Sequence, residues 1–301
     1  MRSTVTRATR GWFTAAAVLT FASIVMGAVV CATQSGASCP NWPGCYGDRF
    51  LPTPGASLQT NPLIEFTHRV IAGATGPAVL VAAILGRRLA DPRPRRLAWV
   101  GLAGTLSAGL FGMLIVLIGI PWWLGMLDLG SALVATVAML LARLLLTFPD
   151  WAPGRVARAA WAAVGTLAVM HLLALAVAGP DSFTRCLGWP LGVLDADRWP
   201  LLQGLRLGLA AVAAVLIVVA VAGALRRPEL RTPGWLAAGL LVAELALAVA
   251  FLTGAGSVVL RTVYAVVAAA LYGAVALLAC RASLSPVPQP SAVPDVEPLA
   301  A

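Results

Sequence analysis

Glu65 and His68 are the first residues of this chain whose types and spacing could do chemistry. At i and i+3 they share one face of a helix. A neutral imidazole in that position can ligate a metal or haem iron, and a carboxylate beside it can take up or release a proton. A histidine hydrogen-bonded to a neighbouring helix has the same spacing, so both readings stand. The other ionisable residues in apolar surroundings are few: Arg69, Asp128, His171, Arg206, Glu244 and Arg261. Each costs about 2.5 kcal/mol or more inside a bilayer, and such groups usually face a bundle interior. Asp128 and Arg261 are expected to pair, because either alone is costly. His171, on an otherwise apolar stretch, reads as a packed and hydrogen-bonded residue. Glu244 reads either as a proton carrier or as a polar contact between helices.

The five cysteines divide unevenly. Cys39 and Cys45 lie in a polar segment rich in Ser, Gly, Asn and Pro, where a loop disulfide is expected if the segment meets an oxidising compartment. Cys186 has no such neighbour, because Gly192 stands at the position matching Cys45. Cys31 and Cys280 fall inside apolar stretches and read as small helix residues.

The elements that must position these groups are membrane helices. Of 301 residues, 60% are hydrophobic and 11% charged, where a soluble domain carries about 25% charged residues. Apolar stretches of roughly 20 residues, the length that crosses a hydrocarbon core, recur eight times. They run over about Gly11–Ala32, Pro62–Leu85, Leu97–Ile118, Met126–Leu146, Ala159–Ala178, Pro200–Leu225, Gly234–Leu252 and Val258–Cys280. Pro121-Trp122-Trp123 reads as an interfacial turn. Every cation is Arg, which makes the net charge of +9 orientation information and not a nucleic-acid footprint. Fifteen of the 21 Arg residues lie on the amino-terminal side of the spans, so the positive-inside rule places both termini in the cytoplasm and the two long polar loops outside.

The pattern repeats. Cys39-Pro40-Asn41-Trp42-Pro43-Gly44-Cys45 is echoed by Cys186-Leu187-Gly188-Trp189-Pro190-Leu191-Gly192, His68-Arg69 by Leu205-Arg206, and Asp128 by Arg261. The fold class is therefore all-α: a polytopic membrane protein of eight transmembrane helices in two pseudo-symmetric four-helix bundles. Parallel repeats of this kind are related by an axis along the membrane normal. Residues 1–150 form the first half, 151–282 the second, and 283–301 a Pro-rich cytoplasmic tail expected to be disordered.

With these residues in place the chain resembles the heme A synthase family, membrane proteins that convert heme O to heme A for cytochrome oxidase assembly. The resemblance is carried by Gly27-Ala28-Val29-Val30-Cys31-Ala32-Thr33-Gln34-Ser35-Gly36-Ala37-Ser38-Cys39-Pro40-Asn41-Trp42-Pro43-Gly44-Cys45 and by Ile64-Glu65-Phe66-Thr67-His68-Arg69. It extends over about residues 10 to 282 and implies the same eight-helix plan. It also implies four haem-ligating histidines, one pair per half. Only His68 is present. Asp128, in Leu127-Asp128-Leu129-Gly130, stands at the second position, Leu205 at the third and Arg261 at about the fourth, while Val30-Cys31 stands where the family has Val-Arg. Leu cannot ligate iron and Arg stays protonated, which puts the second-half haem b in question.

The resemblance implies an oxidoreductase acting on the heme O methyl group, with Glu65 handling protons, and His68 and Arg69 binding the haem substrate in a plasma membrane. Heme O synthase and oxidase assembly factors are the implied partners. Two other readings remain: a non-catalytic haem-binding or assembly relative, and an extracytoplasmic thiol redox protein using Cys39, Cys45 and Cys186.

Overall fold

In the computed structural model, residues 5–53, 55, 57–119, 121–179, 182–191, 199–253 and 256–285 are described. Eight long helices dominate: α1 (Arg7–Ala32), α2 (Pro62–Gly86), α3 (Pro92–Ile118), α4 (Trp122–Leu145), α5 (Arg155–Val177), α6 (Pro200–Leu225), α7 (Arg231–Leu252) and α8 (Val258–Ala282). All eight are long and apolar enough to cross a membrane. Their starts carry the expected chemistry. Asn61 accepts the Leu63 N–H at 3.0 Å ahead of Pro62, Asp91 the Arg93 N–H at 2.8 Å, and Ser257 the Leu260 N–H at 3.2 Å, satisfying donors that a helix end leaves open.

Five helices, α1, α3, α4, α5 and α7, begin three to five residues ahead of the expected stretches. α4 begins at Trp122, so Trp122 and Trp123 are helical and Pro121 is the cap; a proline ahead of the first turn is compatible with helix, and the aromatic pair extends the apolar run. Trp122 then meets Trp199, at the start of α6, edge to face at 5.7 Å. The segment after α8 is not wholly tail. Asp150–Trp151 (β1) pairs antiparallel with Leu284–Ser285 (β2), and Trp161 Nε1 donates to Ser283 at 2.9 Å. Residues 286–301 lie outside the described residues.

Each half closes into a ring. α1 packs on α2 and α4, and α3 bridges α2 and α4; α5, α6, α7 and α8 repeat this order. Between the halves α1 meets α8, α4 meets α5, and α4 meets α8, which is the pattern of a two-fold axis passing between α4 and α8. Small residues permit the close approaches that drive association in lipid. A Cβ on Gly104 of α3 would stand 2.8 Å from the Ser131 carbonyl of α4, so only glycine fits there.

Both long loops and their cysteines lie at one end of the bundle, here the loop end, and the Arg-rich connections at the other. Cys39–Cys45 is a disulfide, as expected. Cys31 and Cys186 also form one, with Cα atoms 5.4 Å apart. This corrects the reading of Cys31 as a small helix residue and Cys186 as unpaired. The last turn of α1 and the second loop approach at the seam between the halves, a proximity that motif spacing does not contain. Cys280 is free and buried.

A protease site inserted at residues 152–154, between the halves, tests this bridge. Cleaved protein should run as one species on a denaturing gel without reductant and as two with it, and Cys31→Ser should give two in either case. Separation of the wild-type halves without reductant would count against the bridge.

Candidate functional site

The first polar loop sits on α2 through two side chains one turn apart. Glu65 accepts the Cys39 backbone N–H at 2.9 Å and the Ser38 hydroxyl at 3.2 Å on Oε2, and its Oε1 pairs with Arg69. Arg69 in turn donates to the carbonyls of Cys39 at 2.7 Å, Gly44 at 2.8 Å and Asn41 at 2.5 Å. A planar guanidinium with five fixed donors is suited to gather several carbonyls at once. The loop that the disulfide closes is thus fixed to the helix by a carboxylate taking its N–H and a guanidinium feeding its carbonyls. The two ends of the longer connection are also joined, by Thr60 N–H to the Thr33 carbonyl at 2.9 Å and by Asn61 N–H to Ser35 Oγ at 3.0 Å.

His68 turns away from this clamp, towards α1. A Cβ on Gly27 would stand 3.5 Å from its Cε1 and 3.9 Å from Nε2, so anything larger than a methyl group there would press on the ring. His68 Nδ1 is buried with no hydrogen-bond partner, unlike a histidine tied to a neighbouring helix. The surroundings are loosely filled. In the loop-end parts of α2, α3 and α4, none of residues 66–74, 105–118 and 125–132 is buried. The packed cluster of this half, built on Phe13, Val79, Ala82, Leu102 and Met139, lies toward the arginine end. A bundle interior filled by side chains buries every third or fourth residue of each helix, so the loop end around His68 is the less tightly packed end of this half.

Asp128 does not complete a pair with Arg261. Among the described residues no ion pair joins them. Asp128 Oδ1 lies 4.0 Å from where a Cβ of Gly112 would be, facing α3 and not the repeat axis, and Arg261 Nε is buried without a partner. The register of α4 and α8 at the axis, which would decide such a pairing, is invisible in the sequence.

The second half repeats the clamp with a different source of acid. Arg206 of α6 donates to the carbonyls of Thr184 at 2.5 Å and Gly188 at 2.7 Å, and to Thr184 Oγ1 at 3.1 Å. Glu244, from α7, accepts the Trp189 N–H at 3.4 Å, so the two residues hold opposite edges of one peptide group. The Tyr264 hydroxyl of α8 donates to the Trp189 carbonyl at 3.0 Å. Of the two readings of Glu244, the polar contact is the one seen. Leu205, at the place matching His68, is 52% exposed on the outer face of α6. His171 is packed, edge to face with Tyr272 at 6.4 Å, but neither ring nitrogen has a hydrogen-bond partner, so the expected hydrogen bond is absent.

Motif reading missed Thr184, Tyr264 and the gripping role shared by Arg69 and Arg206. The signal was present: a charged side chain about two turns into the helix that follows the cysteine loop, in both halves, must find donors or acceptors nearby.

Residues 10–203 match the model of a family described as cytochrome oxidase assembly protein. Among curated relatives the chain is 31% identical over 134 residues to the heme A synthase of Lysinibacillus sphaericus, covering 43% of this chain and 42% of that protein. It is 35% identical over 125 residues to that of Shouchella clausii, covering 40% of each. With the heme A synthase of Shewanella oneidensis it shares 32% identity over 109 residues, 32% of this chain and 33% of that one. The matched stretches thus span less than half the length of these relatives.

Arg69 is 12% exposed and holds one carboxylate and three carbonyls. Arg69→Ala should cost about 3 kcal/mol, the scale for breaking a buried pair, read as a lower unfolding midpoint in detergent. Arg69→Lys should recover only part, because a point charge cannot span the fork. Full stability of Arg69→Ala would remove the clamp from the energetics.

Proposed function

Because the chain belongs to the cytochrome oxidase assembly protein family, we propose that it acts on haem as a heme A synthase-type oxidoreductase, oxidising the heme O methyl group in its first half. The observation that carries this reading is His68: a buried, unpartnered imidazole nitrogen at the end of the half where few residues are buried. A single imidazole is enough to hold haem iron, as a proximal histidine does in globins. When bound, the iron supplies the redox chemistry; the chain supplies position and protons. His68 fixes the macrocycle at one height in the bundle. Glu65, one turn nearer the loop end, is the acid–base group, with Ser38 on one carboxylate oxygen and Arg69 on the other. Arg69 acts by positioning, since it holds both Glu65 and the loop above the site. The apolar walls of α2, α3 and α4 exclude water from the reacting face.

This reading carries an orientation. With the Arg-rich connections in the cytoplasm, the loop end faces outside the plasma membrane, where both disulfides persist. Heme O synthase is then the source of substrate, and cytochrome oxidase assembly the destination of product.

A second reading, a haem-binding assembly relative without catalysis, is favoured by Leu205 and Arg261 at the positions where the resemblance expects ligands. The two separate in a strain lacking its own heme A synthase but making heme O. Heme A extracted and identified by mass after expression of this chain supports the enzyme, and His68→Ala should abolish both haem binding and product. Haem-loaded protein that yields no heme A would overturn the oxidoreductase reading in favour of the second.

A further inference from the structure

The two cysteine loops carry the same Cys-x-x-Trp-Pro pattern and meet different fates. In the first, Trp42 is 50% exposed, and Pro40, Asn41 and Pro43 are exposed with it. In the second, Cys186, Leu187 and Trp189 are 5%, 6% and 5% exposed, and Gly188 and Pro190 are buried between and beside them. The loop has sunk between the helices. Its backbone is held by three side chains rooted in three different helices, Arg206 of α6, Glu244 of α7 and Tyr264 of α8. Each of these is completely buried and stands about two turns inside its helix. Trp189 joins the same packed cluster as Leu167, Met170, Leu241, Tyr264 and Ala265, a cluster that continues to Ala282 at the arginine end. Where none of residues 66–74, 105–118 and 125–132 of the first half is buried, α6, α7 and α8 carry buried residues towards the loop end as far as Gln203, Glu244 and Tyr264.

The resemblance expects a haem here, between α6 and α8, and the residues do not fit one. Leu205 points out of the bundle, and Arg261 offers no lone pair. Gln203 and Arg206, both fully buried, occupy the inner face of α6. We propose that the second half is a sealed bundle, with the Leu187–Trp189 segment serving as a built-in plug in place of a haem. The arrangement gives the plug a physical cause: an indole of large apolar area fills the mouth, and the backbone that accompanies it into a low-dielectric setting finds a partner for the Trp189 N–H, the Trp189 carbonyl and the Gly188 carbonyl. The inference is independent of what the first half binds.

The test is a haem count by absorption of the pyridine adduct on full-length protein purified after expression with haem supplied, together with thiol labelling. Wild type should carry one haem per chain or fewer, and His68→Ala none. Haem retained by His68→Ala overturns the sealed half. Absence of haem from both proteins leaves the plug standing and removes the first-half site, so the two proposals fail separately. In intact cells a membrane-impermeant maleimide should label Trp42→Cys and spare Trp189→Cys, with the mass of the product identifying the thiol modified. Equal labelling of the two overturns the plug. The haem count on His68→Ala decides the matter even where Trp189→Cys does not accumulate.

Discussion

Irregular backbone at membrane depth has no water to bond, and every carbonyl and N–H of a loop that leaves the surface needs a partner from the protein. In this chain one side-chain type carries most of that burden at the site. Arg69 gathers three carbonyls of the first loop, and Arg206 gathers two carbonyls and a hydroxyl of the second. A carboxylate completes each arrangement by accepting an N–H. Take away the guanidinium and the loop must either rise to the surface or leave buried carbonyls unpaired. The disulfides hold chain to chain, but it is the arginines that set how deep each loop sits.

The same device with different packing gives the halves different characters. In the first, Glu65 and Arg69 lie on one helix, and the loop they hold covers the end of α2 while leaving α3 and α4 loosely filled near the loop end. In the second, the acid comes from α7 and the guanidinium from α6, so the loop is drawn between them. Moving one carboxylate to another helix thus goes with the change from a loop that covers to a loop that plugs. The two halves share a common plan; the location of Glu244 and the burial of Trp189 set them apart.

Much of this was legible in the sequence. Eight apolar stretches, the halves and the Cys39–Cys45 bridge follow from composition, period and spacing, and α6 was bounded correctly because Pro200 and Arg226 punctuate it at both ends. The clustering of Glu65, Arg69 and the first loop was half visible, in that charged residues near a helix end must be partnered. What failed were contacts between distant segments. The Cys31–Cys186 bridge spans 155 positions, and nothing local to either cysteine points to the other, although five cysteines with one evident pair leave a remainder that asks for explanation. Asp128 and Arg261 were matched by register in the repeat, but the sequence does not encode how α4 and α8 rotate about their own axes. His171 looked hydrogen-bonded because buried imidazoles usually are; its partnerless nitrogens arise from an apolar wall and the Tyr272 ring edge.

Many membrane proteins built from two repeats work by rocking one against the other, exposing a central site alternately to each side. The bridge between Cys31 and Cys186 lies at the seam where such motion would open, and at the opposite end β1 and β2 join the connection between the halves to the segment after α8. While that bridge is intact, the loop-end edges of the two halves cannot part from one another.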